Sequence, residues 1–169
     1  MTTTHNTIQT PLGELTLVGA DGVLTGVYFP GHWTRPDRTR WGARAEGALG
    51  EAERQLGEYL AGERTTFDLR TSAPGDGFHQ RVWARLAEIP YGETTTYGEI
   101  ARELGDPALA RAVGRAVGSN PLSVVIPCHR VIGSDGALTG YAGGLERKRF
   151  LLALEAPARW AVQEPARLF

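Results

Sequence analysis

The stretch VVIPCHRVIG, residues 124–133, contains the one cysteine of the chain, Cys128, with His129 directly after it. A thiol attacks other molecules as the thiolate, and a cysteine with an ordinary pKa of about 8.5 is mostly protonated at neutral pH. An adjacent imidazole, acting directly or through a water molecule, is the usual base that removes the proton. The pair predicts a nucleophilic cysteine with a depressed pKa. The general alternative for a lone buried cysteine is a small apolar core residue.

A general base also needs a group that orients it, and that group is often a carboxylate. Glu155, at the end of the last predicted helix, is the candidate. From its position alone a solvated glutamate is the favoured interpretation, so its role stays open at this point. The apolar run LSVVIP, residues 122–127, predicts a strand that leads to Cys128.

The elements that must position these residues fall into two groups along the chain. In the first 30 residues apolar side chains alternate between the turn sequences TPLG and GADG, which predicts two or three antiparallel strands. Helical spacing follows over residues 45–61, and TTFDLRT, residues 65–71, predicts one further strand. SAPGDG, residues 72–77, has the composition of a linker. We predict one domain over residues 1–75 and a second over residues 76–169.

The second group is mainly helical. FHQRVWARLAEIP, TTTYGEIARELG and DPALARAVGRAVGSN show helical spacing, and the last two segments, with their capping residues, form a helix-turn-helix pattern. LERKRFLLALE predicts a final helix whose inward residues are Leu145, Phe150, Leu151 and Leu154. The fold class is therefore α+β, with a small antiparallel sheet and a helix before a mainly helical C-terminal domain.

Composition and charge limit the classes of function. The chain has 169 residues and a formal net charge of −1, so any nucleic-acid site must be a local patch and not an overall basic surface. The N-terminus lacks the pattern of a signal peptide, and no apolar run reaches the roughly 20 residues of a membrane span. A single cysteine cannot form an internal disulfide, which fits a reducing compartment. We expect a cytoplasmic protein that does not bind membranes.

Several of these motifs together resemble one family. IPCHRVIG followed by GYAGGLERKRFLLALE, with IPYGETTTYGEIA and ARAVGRAVGSNP before them, resembles the O6-alkylguanine-DNA alkyltransferases in order and spacing. The resemblance covers residues 76–169, whereas residues 1–75 match only in outline. It implies a ribonuclease H-like outline for the N-terminal domain and a winged helix-turn-helix in the C-terminal domain.

The resemblance also implies an activity and the residues that perform it. The activity is direct repair of DNA, in which one alkyl group moves from O6-alkylguanine, or O4-alkylthymine, in duplex DNA to Cys128 without turnover. His129 and Glu155 complete a water-linked relay to the thiol. Asn120 ties the hinge before the active-site strand. Tyr97 helps to rotate the target nucleotide out of the duplex and can protonate the leaving guanine at N3.

The remaining residues of the resemblance face DNA or the extruded base. Arg111 enters the base stack where the nucleotide has left, and Arg115, near the same helix face, can meet a phosphate. Small residues, Ala112 and Gly114 among them, make this helix slim enough to approach the minor groove of double-stranded DNA, which is about 6 Å wide. An Ala- and Gly-rich helix taken alone is more often a close-packed core helix. The guanine pocket is formed by Val131, Tyr141, Ala142 and Gly143.

Two departures from the family bear on the chemistry. The zinc-binding cysteines of some members are missing from the N-terminal part, so we expect no metal and no cofactor. The pair Gly143 and Gly144 replaces bulkier residues of some relatives, which suggests room for alkyl groups larger than methyl. We expect a monomer, and clustering of several copies on DNA stays open. For the loop rich in Arg and Trp, residues 30–44, a solvated loop is favoured over phosphate contacts.

Two other functions remain open from the sequence. Relatives that carry another residue at the cysteine position bind damaged DNA without repairing it, and the presence of Cys128 argues against that function. A Cys–His–Glu hydrolase that carries a helix-turn-helix predicts multiple turnover on an acyl or peptide substrate. The lack of an oxyanion motif weakens that second alternative.

Overall fold

Tight turns fold residues 3–28 into a meander, as the alternating pattern predicts. Asp21 and Gly22 have φ angles of 52° and 78°, and two successive positive φ angles suit the type I′ turn of a two-residue hairpin. The computed structural model describes residues 2–160. The first three strands, which pair antiparallel in chain order, are β1 (Thr3–Thr10), β2 (Gly13–Ala20) and β3 (Val23–Tyr28).

The fourth strand of the sheet is not the predicted one. A short strand, β4 (Ala43–Arg44), pairs in parallel with β1 and gives the order β3-β2-β1-β4. The segment 65–71 instead meets β3 at a single bridge, through Thr71. The reason is Gln55, whose side-chain amide accepts from Asp68 N at 2.8 Å and donates to Asp68 O at 3.1 Å. These two bonds occupy backbone groups that a strand would use for pairing.

Most of the remaining elements are helices. Helix α1 (Gly50–Leu60) begins later than the predicted residue 45, because Ala45 N still donates to His5 O of β1, 2.9 Å away. The C-terminal half contains α2 (Gly77–Ala87), α3 (Tyr97–Glu103), α4 (Ala110–Gly118), α5 (Leu145–Glu155) and α6 (Pro157–Trp160). Two short parallel strands, β5 (Thr95–Thr96) and β6 (Val131–Ile132), connect α3 to the segment before α5.

Side-chain caps define the paired helices α3 and α4. Thr96 accepts from Glu99 N at 3.1 Å and so begins α3, as the threonine run predicts. Asp106 accepts from Ala108 N at 2.9 Å, but it caps a 3₁₀ turn, Pro107–Leu109, that leads into α4. The two helices pack against each other across this turn. The two predicted short helices are therefore confirmed, with α4 starting after the proline turn.

Apolar side chains from both halves meet in one core. Leu17 of the sheet, Leu56 of α1, Leu86 of α2 and Val113 of α4 are fully buried and belong to the same cluster. A shared core means that the sheet and the helical half support each other, so a change in one half reaches the other through direct contacts.

Helix α5 buries a face that differs in part from the predicted one. Leu151 and Leu152 are buried, whereas Leu145, predicted to face inward, is 44% exposed at the first position of the helix. The buried residues follow helical spacing and include Lys148 and Glu155, two charged residues that a search for apolar spacing passes over.

Two further predictions can be compared only with the described residues. None of the helices within residues 2–160 has the length and apolarity that crossing a bilayer requires. Residues 161–169, the end of the predicted second domain, lie outside the described residues.

The turn before β4 gives a test of this architecture. Gly42 and Gly47 have similar φ angles, 72° and 81°, but a Cβ at Gly42 would lie 1.8 Å from Thr3 O, whereas Gly47 faces open space. We predict that Gly47→Ala lowers the free energy of unfolding by about 1 kcal/mol through backbone strain. Gly42→Ala should lose about 1 to 3 kcal/mol more because of the clash. Urea unfolding followed by circular dichroism measures both losses. Equal losses would contradict the contact.

Candidate active site

A buried asparagine shapes the segment that leads to the cysteine. Asn120 Oδ1 accepts from Leu122 N and Asn120 Nδ2 donates to Ile126 O, both at 2.9 Å. Between these anchors the backbone makes tight turns, and Val124 has a φ of 73°. The predicted strand over residues 122–127 is therefore wrong. The side chain of Asn120 takes the hydrogen bonds that would otherwise run along a strand, which fits its predicted hinge position.

Cys128 lies inside the protein at the start of a 3₁₀ turn, Cys128–Arg130, with 4% of its surface exposed. Burial raises the pKa of the thiol, and a hydrogen bond with Asn120 and the charge of Lys148 lower it without cancelling the effect of burial. The prediction of a depressed pKa is wrong for the protein without DNA. The thiol holds its proton at neutral pH, so any attack by the sulfur requires a group that removes this proton.

His129 is held as a neutral imidazole. Its Nε2 lies 2.8 Å from Glu155 Oε2, and the ring is fully buried. Because an ionised carboxylate only accepts hydrogen bonds, Nε2 must carry the ring proton. Burial lowers the pKa of His129, so the ring is neutral and Nδ1 holds a lone pair. This Nδ1 has no hydrogen-bond partner within residues 2–160, which leaves it available to receive a proton.

Glu155 joins several elements through one buried carboxylate. Arg130 donates to it twice, from Nε to Oε1 and from Nη2 to Oε2, each at 2.8 Å, and Gly92 N donates to Oε1 at 3.1 Å. Burial opposes ionisation, but the hydrogen bonds from His129 and Arg130 outweigh it and hold the pKa of Glu155 well below its usual range. The interpretation of Glu155 as a solvated helix end is wrong, and Arg130 braces the carboxylate through this ion pair.

The sequence did not reveal that Tyr59 belongs to this cluster. Its hydroxyl donates to Glu155 Oε2 and lies 3.5 Å from His129 Nε2. Tyr59 belongs to α1, so the N-terminal half supplies a donor to a carboxylate of the C-terminal half. Tyr59 lies within the segment 45–61 whose helical spacing was recognised, but spacing alone does not identify a hydrogen-bond partner.

Lys148 is the second residue that sequence reasoning missed. It is fully buried, and its Nζ donates to Val131 O and Thr139 O, both at 2.7 Å, with Gly140 O at 3.5 Å. Burial lowers the pKa of Lys148 to about 8. The ammonium group thus ties the loop before Tyr141 to α5. Its place three residues before Leu151, on the inward face, was the signal that could have indicated burial.

The four residues predicted to form the guanine pocket are all buried: Val131, Tyr141, Ala142 and Gly143. Tyr141 packs edge-on against Phe29, with ring centroids 5.7 Å apart. A Cβ at Gly143 would lie 2.5 Å from the ring of Phe29. The absence of a side chain at Gly143 therefore makes room for Phe29 of the N-terminal half, and the extra space expected for larger alkyl groups stays a prediction.

The predicted DNA-facing residues lie on α4 and at the start of α3. Arg111 and Arg115 are exposed, and within residues 2–160 neither forms an ion pair. Ala112 and Gly114 are half-buried. Tyr97 begins α3, and its Cδ1 would lie 3.8 Å from a Cβ at Gly114. The tyrosine therefore stands next to this surface of α4.

A second contact fixes the tyrosine hydroxyl. Thr139 Oγ1 donates to Tyr97 Oη at 3.1 Å, while Lys148 holds Thr139 O. Burial raises the pKa of Tyr97 and the bond from Thr139 lowers it in part, so the phenol keeps its proton at neutral pH. Across residues 2–160 no three His, Cys, Asp or Glu side chains lie close enough to hold a metal ion, and the expected absence of a metal stays a prediction.

A chain with a buried thiol, a histidine–carboxylate pair that begins at the next residue, and two paired helices matches a known family in both halves. The model of the 6-O-methylguanine DNA methyltransferase ribonuclease-like domain matches residues 4–73, and that of the DNA binding domain matches residues 77–157. The chain belongs to the 6-O-methylguanine DNA methyltransferase family.

Particular relatives are similar over nearly the whole chain. A methylated-DNA–protein-cysteine methyltransferase of Mycolicibacterium paratuberculosis is 52% identical over 151 residues, which cover 89% of this chain and 91% of that protein. The constitutive enzyme of that name from Bacillus subtilis is 43% identical over 159 residues, covering 89% and 94%. The crystal structure of Mycobacterium tuberculosis OGT in complex with DNA superposes with a TM-score of 0.84 at 50% identity, covering 90% of this chain and 92% of that one.

The hydroxyl of Tyr59 can be tested against that of Tyr91. We predict that Tyr59→Phe lowers the free energy of unfolding by about 1 to 3 kcal/mol, because a buried carboxylate loses a donor. Tyr91 Oη donates to Leu154 O at 3.4 Å in a part-buried contact, so Tyr91→Phe should cost less than about 1 kcal/mol. Guanidinium unfolding of both variants measures the difference. A Tyr59→Phe variant as stable as the wild type would contradict the bond between α1 and Glu155.

Proposed function

We propose that this protein repairs alkylated DNA by transferring the alkyl group of O6-alkylguanine to Cys128 Sγ, once per molecule. The observation that carries this proposal is the buried thiol beside a neutral, oriented histidine, in a member of a family whose relatives are named methylated-DNA–protein-cysteine methyltransferases. O4-alkylthymine carries its adduct on an equivalent exocyclic oxygen and is the second proposed substrate.

The transfer proceeds by displacement at the alkyl carbon. His129 Nδ1 takes the proton of Cys128 through a bridging water molecule, and the thiolate forms a C–S bond while the bond from carbon to guanine O6 breaks. The electron pair of the broken bond stays on the purine, and Tyr97 donates a proton to guanine N3, so that neutral guanine leaves. The proton held by His129 restores the phenol of Tyr97 through solvent. Asn120 and Lys148 lower the pKa of the thiol during this step.

The Glu155 cluster supports the proton transfer. The carboxylate keeps the Nε2 proton of His129 in place, so that Nδ1 is the basic atom, and it stabilises the imidazolium that forms. A thioether is stable in water, and the chemistry contains no step that returns the thiol. Each protein molecule therefore accepts one alkyl group.

The base must leave the duplex before it can reach a thiol that is 4% exposed. We assign this step to α4 in the minor groove, with Arg111 in the stack, Arg115 on a phosphate, and Ala112 and Gly114 keeping the helix slim. Support comes from the exposure of both arginines and from the DNA complex of a relative at 50% identity. The pocket that receives the base is formed by Val131, Tyr141, Ala142 and Gly143.

Finer features of the fold belong to the same proposal. The N-terminal domain, residues 1–75, has a ribonuclease H-like outline, and the C-terminal domain, residues 76–169, has a winged helix-turn-helix. The protein acts as a cytoplasmic monomer on double-stranded DNA without a metal or cofactor. Footprinting at rising protein concentration tests whether several copies cluster along DNA.

A mass measurement tests the transfer. We predict that a duplex with one O6-methylguanine adds one methyl group to the intact protein at Cys128, in equal moles to the lesion lost. Cys128→Ser should bind the same duplex and gain no mass. Loss of several lesions per protein molecule would favour a hydrolase, and binding of the lesion by the wild type without a gain in mass would favour a damage-recognition protein.

A further inference from the structure

Trp33 links the N-terminal half to two functional parts of the C-terminal half. It lies in the segment between β3 and β4, and 52% of its surface is exposed. Its indole Nε1 donates to Gly118 O, the last residue of α4, at 3.0 Å. Its backbone N donates to Ala142 O in the pocket loop, also at 3.0 Å. Residues 30–44 are mostly exposed, as the interpretation of a solvated loop predicts, and these two bonds in addition tie Trp33 to the C-terminal half.

Two glycines make this placement possible. A Cβ at Gly118 would lie 3.0 Å from Trp33 Cζ2, and a Cβ at Gly140 would lie 2.7 Å from Trp33 Cη2. Real Cβ atoms rarely approach another atom so closely, so larger residues at either glycine would displace the indole. The ring is thus held between the end of α4 and the loop that precedes Tyr141, although half of its surface faces solvent.

The indole forms one wall of a groove along α4. The groove has a volume of about 510 Å³, with Trp33 and Thr34 on one side and Arg111, Gly114, Arg115 and Gly118 on the other. The α4 residues recur at intervals of three and four, so they form one face of the helix. It is the face that carries the DNA-facing residues of the proposed function.

The chemistry of this groove fits a sugar–phosphate backbone. Arg111 and Arg115 have no ion-pair partner within residues 2–160, and no carboxylate lines the groove. Two uncompensated guanidinium groups favour a polyanion, and an exposed indole offers an apolar surface for deoxyribose. Continuity with the DNA-facing side of α4 selects DNA over an acidic peptide.

We propose that Trp33 is a DNA contact supplied by the N-terminal half, which packs against the sugar–phosphate backbone that runs along α4 toward the pocket loop. This inference rests on the proposed function, because it takes α4 as the helix that enters DNA. It extends the nucleic-acid surface beyond the C-terminal half. Trp33 is a binding residue in this role and takes no part in the chemistry at Cys128.

Binding to DNA is measured in the Cys128→Ser background by fluorescence anisotropy with a duplex that contains one O6-methylguanine. Trp33→Ala should raise Kd by about fivefold to tenfold, the range of a typical buried aromatic contact. Trp33→Phe keeps an apolar ring and should retain most of the affinity. Leu145→Ala, which removes a second large exposed apolar side chain, is the matched control and should leave Kd within twofold.

Rate measurements separate a DNA contact from a support of the pocket loop. With Cys128 intact, the second-order rate constant for the duplex should fall in Trp33→Ala by the same factor as the affinity, relative to the rate constant for O6-methylguanine supplied as the free base. An unchanged Kd, or equal losses with duplex and free base, would overturn the proposal. So would competition by polyglutamate as effective as that by undamaged duplex. Because Kd is measured without transfer, a failure of the proposed alkyl transfer would be seen separately, in the mass assay.

Discussion

One buried carboxylate holds the structure around the cysteine together. Glu155 accepts hydrogen bonds from His129, Arg130, Tyr59 and the backbone of Gly92, which belong to different parts of the chain. Removing a charge from water costs several kcal/mol unless partners replace the lost solvation. The site meets that cost by bringing donors from both halves to the same two oxygens, so the fold must form as a whole before the charge is stable.

The same carboxylate determines which protonation states are present at rest. An ionised Glu155 places the ring proton of His129 on Nε2 and leaves Nδ1 basic. Burial keeps both the thiol and the imidazole uncharged, since each charged form would lose solvation without full compensation. A protonated thiol resists oxidation and metal capture better than a thiolate does. The resting protein therefore protects the single sulfur that its proposed activity consumes.

Sequence patterns predicted the parts of the structure that depend on local rules. Alternation and turn residues predicted the meander of strands, and threonine and aspartate caps predicted the paired helices. Predictions failed where a distant side chain replaced backbone pairing. The side chain of Gln55 takes both backbone hydrogen bonds of Asp68, and the side chain of Asn120 takes those of Leu122 N and Ile126 O. The apolar spacing of each segment therefore indicated a strand that does not form.

The sequence predicted several residues of the candidate site but not the contacts between them. Glu155 was a candidate from its position, but only the family resemblance gave it a role, because a glutamate at the end of a helix has the same spacing whether it is solvated or buried. Tyr59 and Lys148 occupy inward positions of their helices, yet nothing local to either residue specifies its partner. The raised pKa of Cys128 follows from complete enclosure, which is a property of the packed chain and not of the residues beside the cysteine.

The ring of Phe29 packs against Gly143, and the hydroxyl of Tyr59 donates to Glu155. In both pairs one residue comes from each half of the chain. Such pairs behave as matched sets in recombination. A chimera that combines this sheet and α1 with the helical half of a relative must keep both members of each pair, or it will bring a larger side chain against Phe29 or leave the carboxylate short of a donor. The two halves are therefore poor modules for independent exchange, although each matches a separate family model.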